Sequence, residues 1–230
     1  MIFMKMQIYA IGLLAFGFVG EGMAESSISY TNVISSQVTD WSIVVGLPKF
    51  NSSLGALDSI NISLSSAMST TITVNNQSGS TSTGSAKTEM QMWVGDDTFA
   101  NLFTQGGGNP VLDYKTRAYS FSLATGQSVT SSRLTASQSA STGLITDSGT
   151  LAGFTGTGVV DLNATTHALS NISVANGNAT MTQVTSAGLT TIITYDYTPL
   201  SPVPEPSSLA LIGSSLAGLG VFARRRFARN

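Results

Sequence analysis

An all-β sandwich is the fold this sequence predicts, and three observations predict it. Between residues 25 and 200 apolar side chains recur at every second position, the period of a strand with one buried face. Clusters of Gly, Asn, Pro and Ser separate those runs, and no window in that span offers a long amphipathic helix. The reading is a sandwich of roughly eight to ten antiparallel strands in two packed sheets.

The chain opens differently. Lys5 gives a short basic region, Ile8 to Gly20 is apolar, and Gly22-Met23-Ala24 places small residues where a signal peptidase reads them. Residues 1–24 are therefore expected to be a signal peptide, cut after Ala24, with signal peptidase as a partner.

The expected ectodomain, residues 25–200, carries the alternation. Trp41, Ile43, Val45 and Leu47 share one face; Ile60, Ile62 and Leu64 repeat the pattern, followed by Ile72 and Val74, then by Met90, Met92 and Val94. Tyr119, Phe121 and Leu123 follow, then Leu169, Ile172 and Val174 with less regular spacing, and finally Ile193, Tyr195 and Tyr197. Ser, Thr and Asn occupy the intervening positions, as a half-buried antiparallel sheet requires. Turn signals fall at Gly46 to Pro48, Asn75 to Gly84, Gly106 to Pro110, Ala124 to Gly126 and Asn176 to Asn178. Asn176-Gly177 is expected to close a two-residue hairpin, because both residues tolerate positive φ. A one-residue slip would turn each apolar set to solvent. Trp41, Ile43, Val45, Ile60, Ile62, Leu64, Ile72, Val74, Met90, Met92, Phe121 and Tyr195 are therefore expected between the sheets.

Composition removes several function classes. The chain has no cysteine, which excludes disulfides, zinc-thiolate sites, iron–sulfur clusters and a cysteine nucleophile. Residues 25–200 hold ten acids against five bases, a balance near −5, whereas the arginine cluster lies at the chain end. No basic patch supports nucleic-acid binding.

Residues 201–230 form a distinct segment. Pro202, Pro204 and Pro206 keep the backbone extended before an apolar run, Ser207 to Ala223, that carries no charge. As a helix this run would extend roughly 25 Å, a short, weakly hydrophobic span at the lower end of the about 17 to 25 residues that a bilayer core of ~30 Å needs. The basic tail, 224–229, holds Arg224, Arg225, Arg226 and Arg229. Positive flanks stay cytoplasmic, so the span at about 207–223 would hold the rest of the chain outside the inner membrane.

The order Pro204-Glu205-Pro206, apolar span, arginine cluster closely resembles the PEP-CTERM sorting signal of Gram-negative bacteria. The resemblance implies recognition by an exosortase, a membrane-embedded transpeptidase-like enzyme that cuts near the tripeptide. It also implies export to the cell envelope or beyond, with transient anchoring in the inner membrane, and an association with exopolysaccharide and biofilm matrix. Within the ectodomain, Leu47 to Leu57 (LPKFNSSLGAL), Phe154 to Val160 (FTGTGVV) and Ile193 to Pro199 (ITYDYTP) resemble the choice-of-anchor E domains, a likeness covering about residues 27–200. That resemblance implies surface display. Where those domains often have Asp after the Phe of the first piece, this chain has Asn51, and no ligand role is carried over.

No enzymatic activity and no cofactor are expected; a carbohydrate-binding module and a secreted hydrolase are the alternatives. Sugar stacking would use exposed aromatics, with Trp93, Trp41, Tyr114 and Tyr119 as candidates. Trp93 falls out of phase with Met90, Met92 and Val94, so it points to the opposite face and is the best of them. A hydrolase would need acids opposed across a cleft or His167, the single histidine, in a relay. His167 reads more simply as a solvated residue. Asp96-Asp97 is the one tight acidic pair and a weak candidate for Ca²⁺. Gly79 to Ser85 and the Gly106 run read as loops with no phosphate-binding frame.

Overall fold

The computed structural model describes residues 25–95, 102–103, 109–200 and 214–216. Its strands are β1 (Ser26–Val38), β2 (Ser42–Pro48), β3 (Gly55–Asn76), β4 (Ser82–Gly95), β5 (Leu112–Lys115), β6 (Tyr119–Leu123), β7 (Ser128–Thr130), β8 (Leu134–Ser141), β9 (Val159–Asn176) and β10 (Ala179–Pro199). One short helix, α1 (Ser148–Gly153), precedes β9. Asp147 caps it, accepting a hydrogen bond from the Thr150 N–H at 2.9 Å.

The strands form two antiparallel sheets, each four positions wide. One runs β1, β10, β3, with β7 and β8 sharing the last position; the other runs β2, β9, β4, with β5 and β6 sharing the last position. Successive long strands alternate between sheets, so each connection from β1 to β4 and from β9 to β10 crosses the sandwich. This is the jelly-roll arrangement of a double-sheet sandwich.

Alternation drives the packing. On β3, Ile60, Ile62, Leu64, Met68, Ile72 and Val74 are buried, while the intervening positions from Asn61 to Ser65 and from Thr71 to Thr73 meet solvent in part. On β4, Met90, Met92 and Val94 face them from the other sheet. A polar layer separates the larger core from a second cluster built on Ile72, Val74, Phe121 and Leu123. There Thr70 Oγ1 lies 2.8 Å from Thr185 Oγ1 and 3.4 Å from Thr88 Oγ1, and the Thr88 hydroxyl donates to Gln183 Oε1 at 2.6 Å. Because Thr88 belongs to the opposite sheet, these bonds fix how the two layers sit on each other. Among the described residues the buried apolar side chains lie between Ile34 and Tyr195.

Ten of the twelve expected core side chains are buried. Trp41 and Ile43 are half-buried, packed against the core from the start of β2, and the Trp41 indole N–H donates to the Ala187 carbonyl at 3.4 Å. Several local expectations are corrected. Gly46 to Pro48 belongs to β2 itself, paired with β9 through Pro48 and Val159, so the turn comes after it. Asn176-Gly177 is a turn but closes no hairpin, because β9 and β10 lie in different sheets; Gly177 alone of the two has positive φ, at 75°. Within the supposed loop Gly79 to Ser85, Ser82 already starts β4 and pairs with Leu123. Small side chains hid its period. Leu169 is 41% exposed and faces out, while its neighbours Ile172 and Val174 pack on the second cluster.

The signal peptide with its Ala24 site, the greater part of the 207–223 span, and the arginines of the tail lie outside the described residues. Residues 214–216 form a single helical turn. Among the described residues no helix is long and apolar enough to cross a membrane.

Candidate functional site

The three ectodomain pieces singled out in the sequence meet at one end of the sandwich. Phe50 forms a parallel bridge with Thr155: its N–H donates to the Phe154 carbonyl at 2.8 Å, and its carbonyl accepts from Gly156 at 2.9 Å. The Phe50 ring packs 5.7 Å from that of Tyr195 and 5.2 Å from that of Tyr197. Tyr195, fully buried, donates its hydroxyl to the Pro48 carbonyl at 2.6 Å, joining β10 to β2 across the layers. Asn51 serves its own turn, accepting from the Ser53 N–H at 3.0 Å. The last residue of the domain is held here too, since Leu200 donates to the Leu54 carbonyl at 3.3 Å and Pro199 pairs with Gly55. The described chain therefore leaves the sandwich at this end, just before the segment with Pro204, Glu205 and Pro206.

A second polar constellation covers the outer face of the sheet containing β4 and β9. Trp93 is half-buried on that face, as its phase predicts, with its ring edge-on to His167 at a centroid distance of 5.6 Å. His167 is an exposed strand residue, and its Nδ1 lies 3.8 Å from Asp40 Oδ1. Asp40 is pinned at a positive φ of 68° by accepting from the Ala168 N–H at 3.1 Å. Two strand positions away, Glu89 Oε2 accepts from Lys115 Nζ at 3.1 Å and from Asn171 at 3.0 Å, while Gln91 donates to Oε1 at 3.2 Å. Asp113, opposite Gln91 on β5, lies close enough for its carboxyl and that of Glu89 to influence each other. Desolvation works to raise the Glu89 pKa, but the Lys115 ammonium and the hydrogen bonds outweigh it and the net shift is downward. Asp113 is shifted up, by desolvation first and then by the Glu89 charge, with Lys115 opposing.

Sequence reasoning missed the Glu89, Asp113, Lys115 and Asn171 group. Its signal was the β4 to β5 register, which sets Glu89 opposite Lys115 and Gln91 opposite Asp113. The intervening loop is too long to fix that register from turn chemistry. Of the other aromatic candidates, Tyr114 is excluded from sugar stacking: it is buried, with its hydroxyl 2.7 Å from Ser66 Oγ of the opposite sheet. Tyr119 is half-buried against the second cluster.

Among the described residues no group of three or more His, Asp or Glu is placed to hold a metal ion. Asp96 and Asp97 lie outside the described residues, as do Pro204, Glu205, Pro206, Arg224, Arg225, Arg226 and Arg229.

Behind the β-sandwich the sequence carries a proline-bracketed glutamate, an apolar run and an arginine cluster in that order. The family model of the PEP-CTERM protein-sorting motif matches residues 202–226, and the chain carries that motif. Its presence implies export, a membrane-anchored transit and processing by an exosortase. The match covers the tail; the choice-of-anchor E likeness of the ectodomain remains a resemblance.

No curated protein matches the chain by sequence. Among solved structures, it is similar to a chain of the infectious bursal disease virus Gx strain, at 9% identity and a TM-score of 0.20, over 76% of this chain and 37% of that one. A chain of the semi-empty virus-like particle of giant freshwater prawn Macrobrachium rosenbergii nodavirus also aligns at 9% identity and a TM-score of 0.20, covering 88% and 97%. The parasporin-2 Bacillus thuringiensis toxin aligns at 14% identity with a TM-score of 0.12, covering 74% and 71%. Overlaps this poor add nothing to the topology traced above.

Proposed function

We propose that this chain is a non-enzymatic surface or matrix protein, delivered by an exosortase to the cell envelope and associated there with exopolysaccharide. The observation that carries the reading is the sorting motif at residues 202–226, which follows directly on the sandwich's last strand, β10, ending at Pro199. The resemblance of residues 27–200 to choice-of-anchor E domains supports surface display. Replacing Pro204, Glu205 and Pro206 together by alanine is expected to leave the chain in the inner-membrane fraction, whereas the unaltered chain moves to the envelope surface or medium. Fractionation with tail-specific and sandwich-specific antibodies reads the outcome; identical distributions of the two chains would refute sorting through the tripeptide.

A second reading, sugar binding, is favoured by one arrangement: an aromatic ring, Trp93, set beside amide, carboxylate and imidazole groups on an open sheet face. Stacking on one face of the ring with hydrogen bonds from Gln91 and Asn171 would suit a neutral saccharide. Trp93→Ala should then weaken binding of residues 25–200 to the organism's own polysaccharide at least tenfold. Equal retention of both proteins on that polysaccharide would remove the reading.

A further inference from the structure

The four edge positions of the two sheets are not equally protected against pairing with another strand. A strand edge offers unpaired N–H and C=O groups, and proteins blunt such edges with charge, proline, bulges or interruption. The β5 and β6 edge is broken, with Lys115 and Arg117 at the break; the β7 and β8 edge is broken, with Arg133 at the break. The β2 edge is seven residues long and ends at Pro48 and Lys49. The β1 edge has thirteen residues and no charge or proline between Glu25 and Asp40. Its one protective feature is a bulge after Ile34, seated on Gly188, where an added Cβ would meet the Ile34 carbonyl at 2.8 Å. From Ser26 to Ile34 the strand pairs with β10 without a break. Among the described residues nothing pairs with its other side.

We infer that β1 is the self-association surface of the ectodomain, pairing antiparallel with β1 of a second copy and joining two four-position sheets into one. A second copy is the occupant the strand fits. Nine continuous residues give about 30 Å of ladder, and an antiparallel pair of identical strands closes on a two-fold axis, so the assembly stops at a dimer. With the axis at Tyr30, the outward residues Ser27, Ser29, Thr31 and Val33 face Val33, Thr31, Ser29 and Ser27 of the second copy, and no charge opposes a like charge. Val33, 62% exposed, gains cover in that pairing. Of the other edge strands the longest free of charge and proline is β8, Leu134–Ser141, and it is shorter, at eight residues, and directly follows Arg133.

The test uses the expected ectodomain, residues 25–200, with its fold checked by circular dichroism, in sedimentation equilibrium. The unaltered domain is expected to dimerise at submillimolar concentration. Ser29→Lys with Thr31→Lys, and separately Ser29→Glu with Thr31→Glu, are each expected to give monomers, and an equimolar mixture of the two should recover dimers by opposite-charge pairing. Both positions are exposed, and the one side-chain bond lost is that of Ser29 Oγ to Thr194 Oγ1 at 2.8 Å. A monomer throughout the concentration range overturns the inference. So do variants that dimerise like the unaltered domain, or a mixture that stays monomeric. Should either variant misfold, hydrogen exchange on the unaltered domain decides: protection of the β1 amides is expected to rise with protein concentration, and protection independent of concentration overturns the inference.

Discussion

Tyr195→Ala is expected to cost about 3–5 kcal/mol, the range for removing a large buried aromatic. The side chain is fully buried, packs on Phe50 and Tyr30, and ties β10 to the Pro48 carbonyl in the other sheet. Domains are stable by about 5–15 kcal/mol, so this single change would consume a large part of the total. The melting temperature should fall by roughly 6–20 °C. Tyr195→Phe keeps the ring but strands the carbonyl, at about 1–3 kcal/mol. It also has a signature in pH. Burial, helped by the nearby Tyr30, pushes the Tyr195 hydroxyl far above its ordinary value, so the fold favours its neutral form. That contribution is complete below the ordinary tyrosine pKa of about 10 and is lost as pH rises above it. Urea midpoints for the unaltered domain should therefore fall at alkaline pH more steeply than those of Tyr195→Phe. Tyr114, also raised by burial, supplies part of the slope that remains.

Gly84→Ala should be nearly as damaging, at about 3 kcal/mol. Its φ is ordinary; the obstacle is space. A Cβ at this position would lie 2.2 Å from the Ser173 carbonyl oxygen and 2.8 Å from the Phe121 ring, and the first of these is backbone of the adjacent strand β9. Relief would require parting β4 from β9 where Gly84 pairs with Val174, beside an existing irregularity in register. Gly95→Ala is the control, because no described residue lies within 4 Å of its added Cβ. That change should shift stability by no more than about 0.5 kcal/mol. Chemical denaturation of the two variants side by side gives the answer, and equal midpoints would mean that the β4 to β9 contact is looser than described.

The layers of the sandwich could be read from the chain because burial on a strand has a fixed period. Ile60, Ile62, Leu64, Met90 and Met92 sit where alternation puts them. Trp93, one position out of phase, sits on the other face. The topology was not legible. Asn176-Gly177 carries the local chemistry of a hairpin, yet which sheet accepts β10 is decided by its long ladder with β3, a pairing between residues more than a hundred positions apart. The continuity of β3 was hidden in the same way, since Ser65 to Thr71 carries one large apolar residue, Met68, and reads as a gap. Of the candidate sites, the tail motif was legible in full because it is contiguous. The convergence of Phe50, Phe154 and Tyr195, and the grouping of Glu89 with Asp113, depend on long-range register and left no local trace.

Removal of the tail by an exosortase is read out by the intact mass of the mature protein taken from the surface or medium of its own cells. That mass is expected to correspond to a chain that begins after Ala24 and lacks the arginines from Arg224 to Arg229, with the full tail retained when the exosortase is deleted. A surface-recovered protein whose mass still includes Arg229, with or without the enzyme, would contradict it.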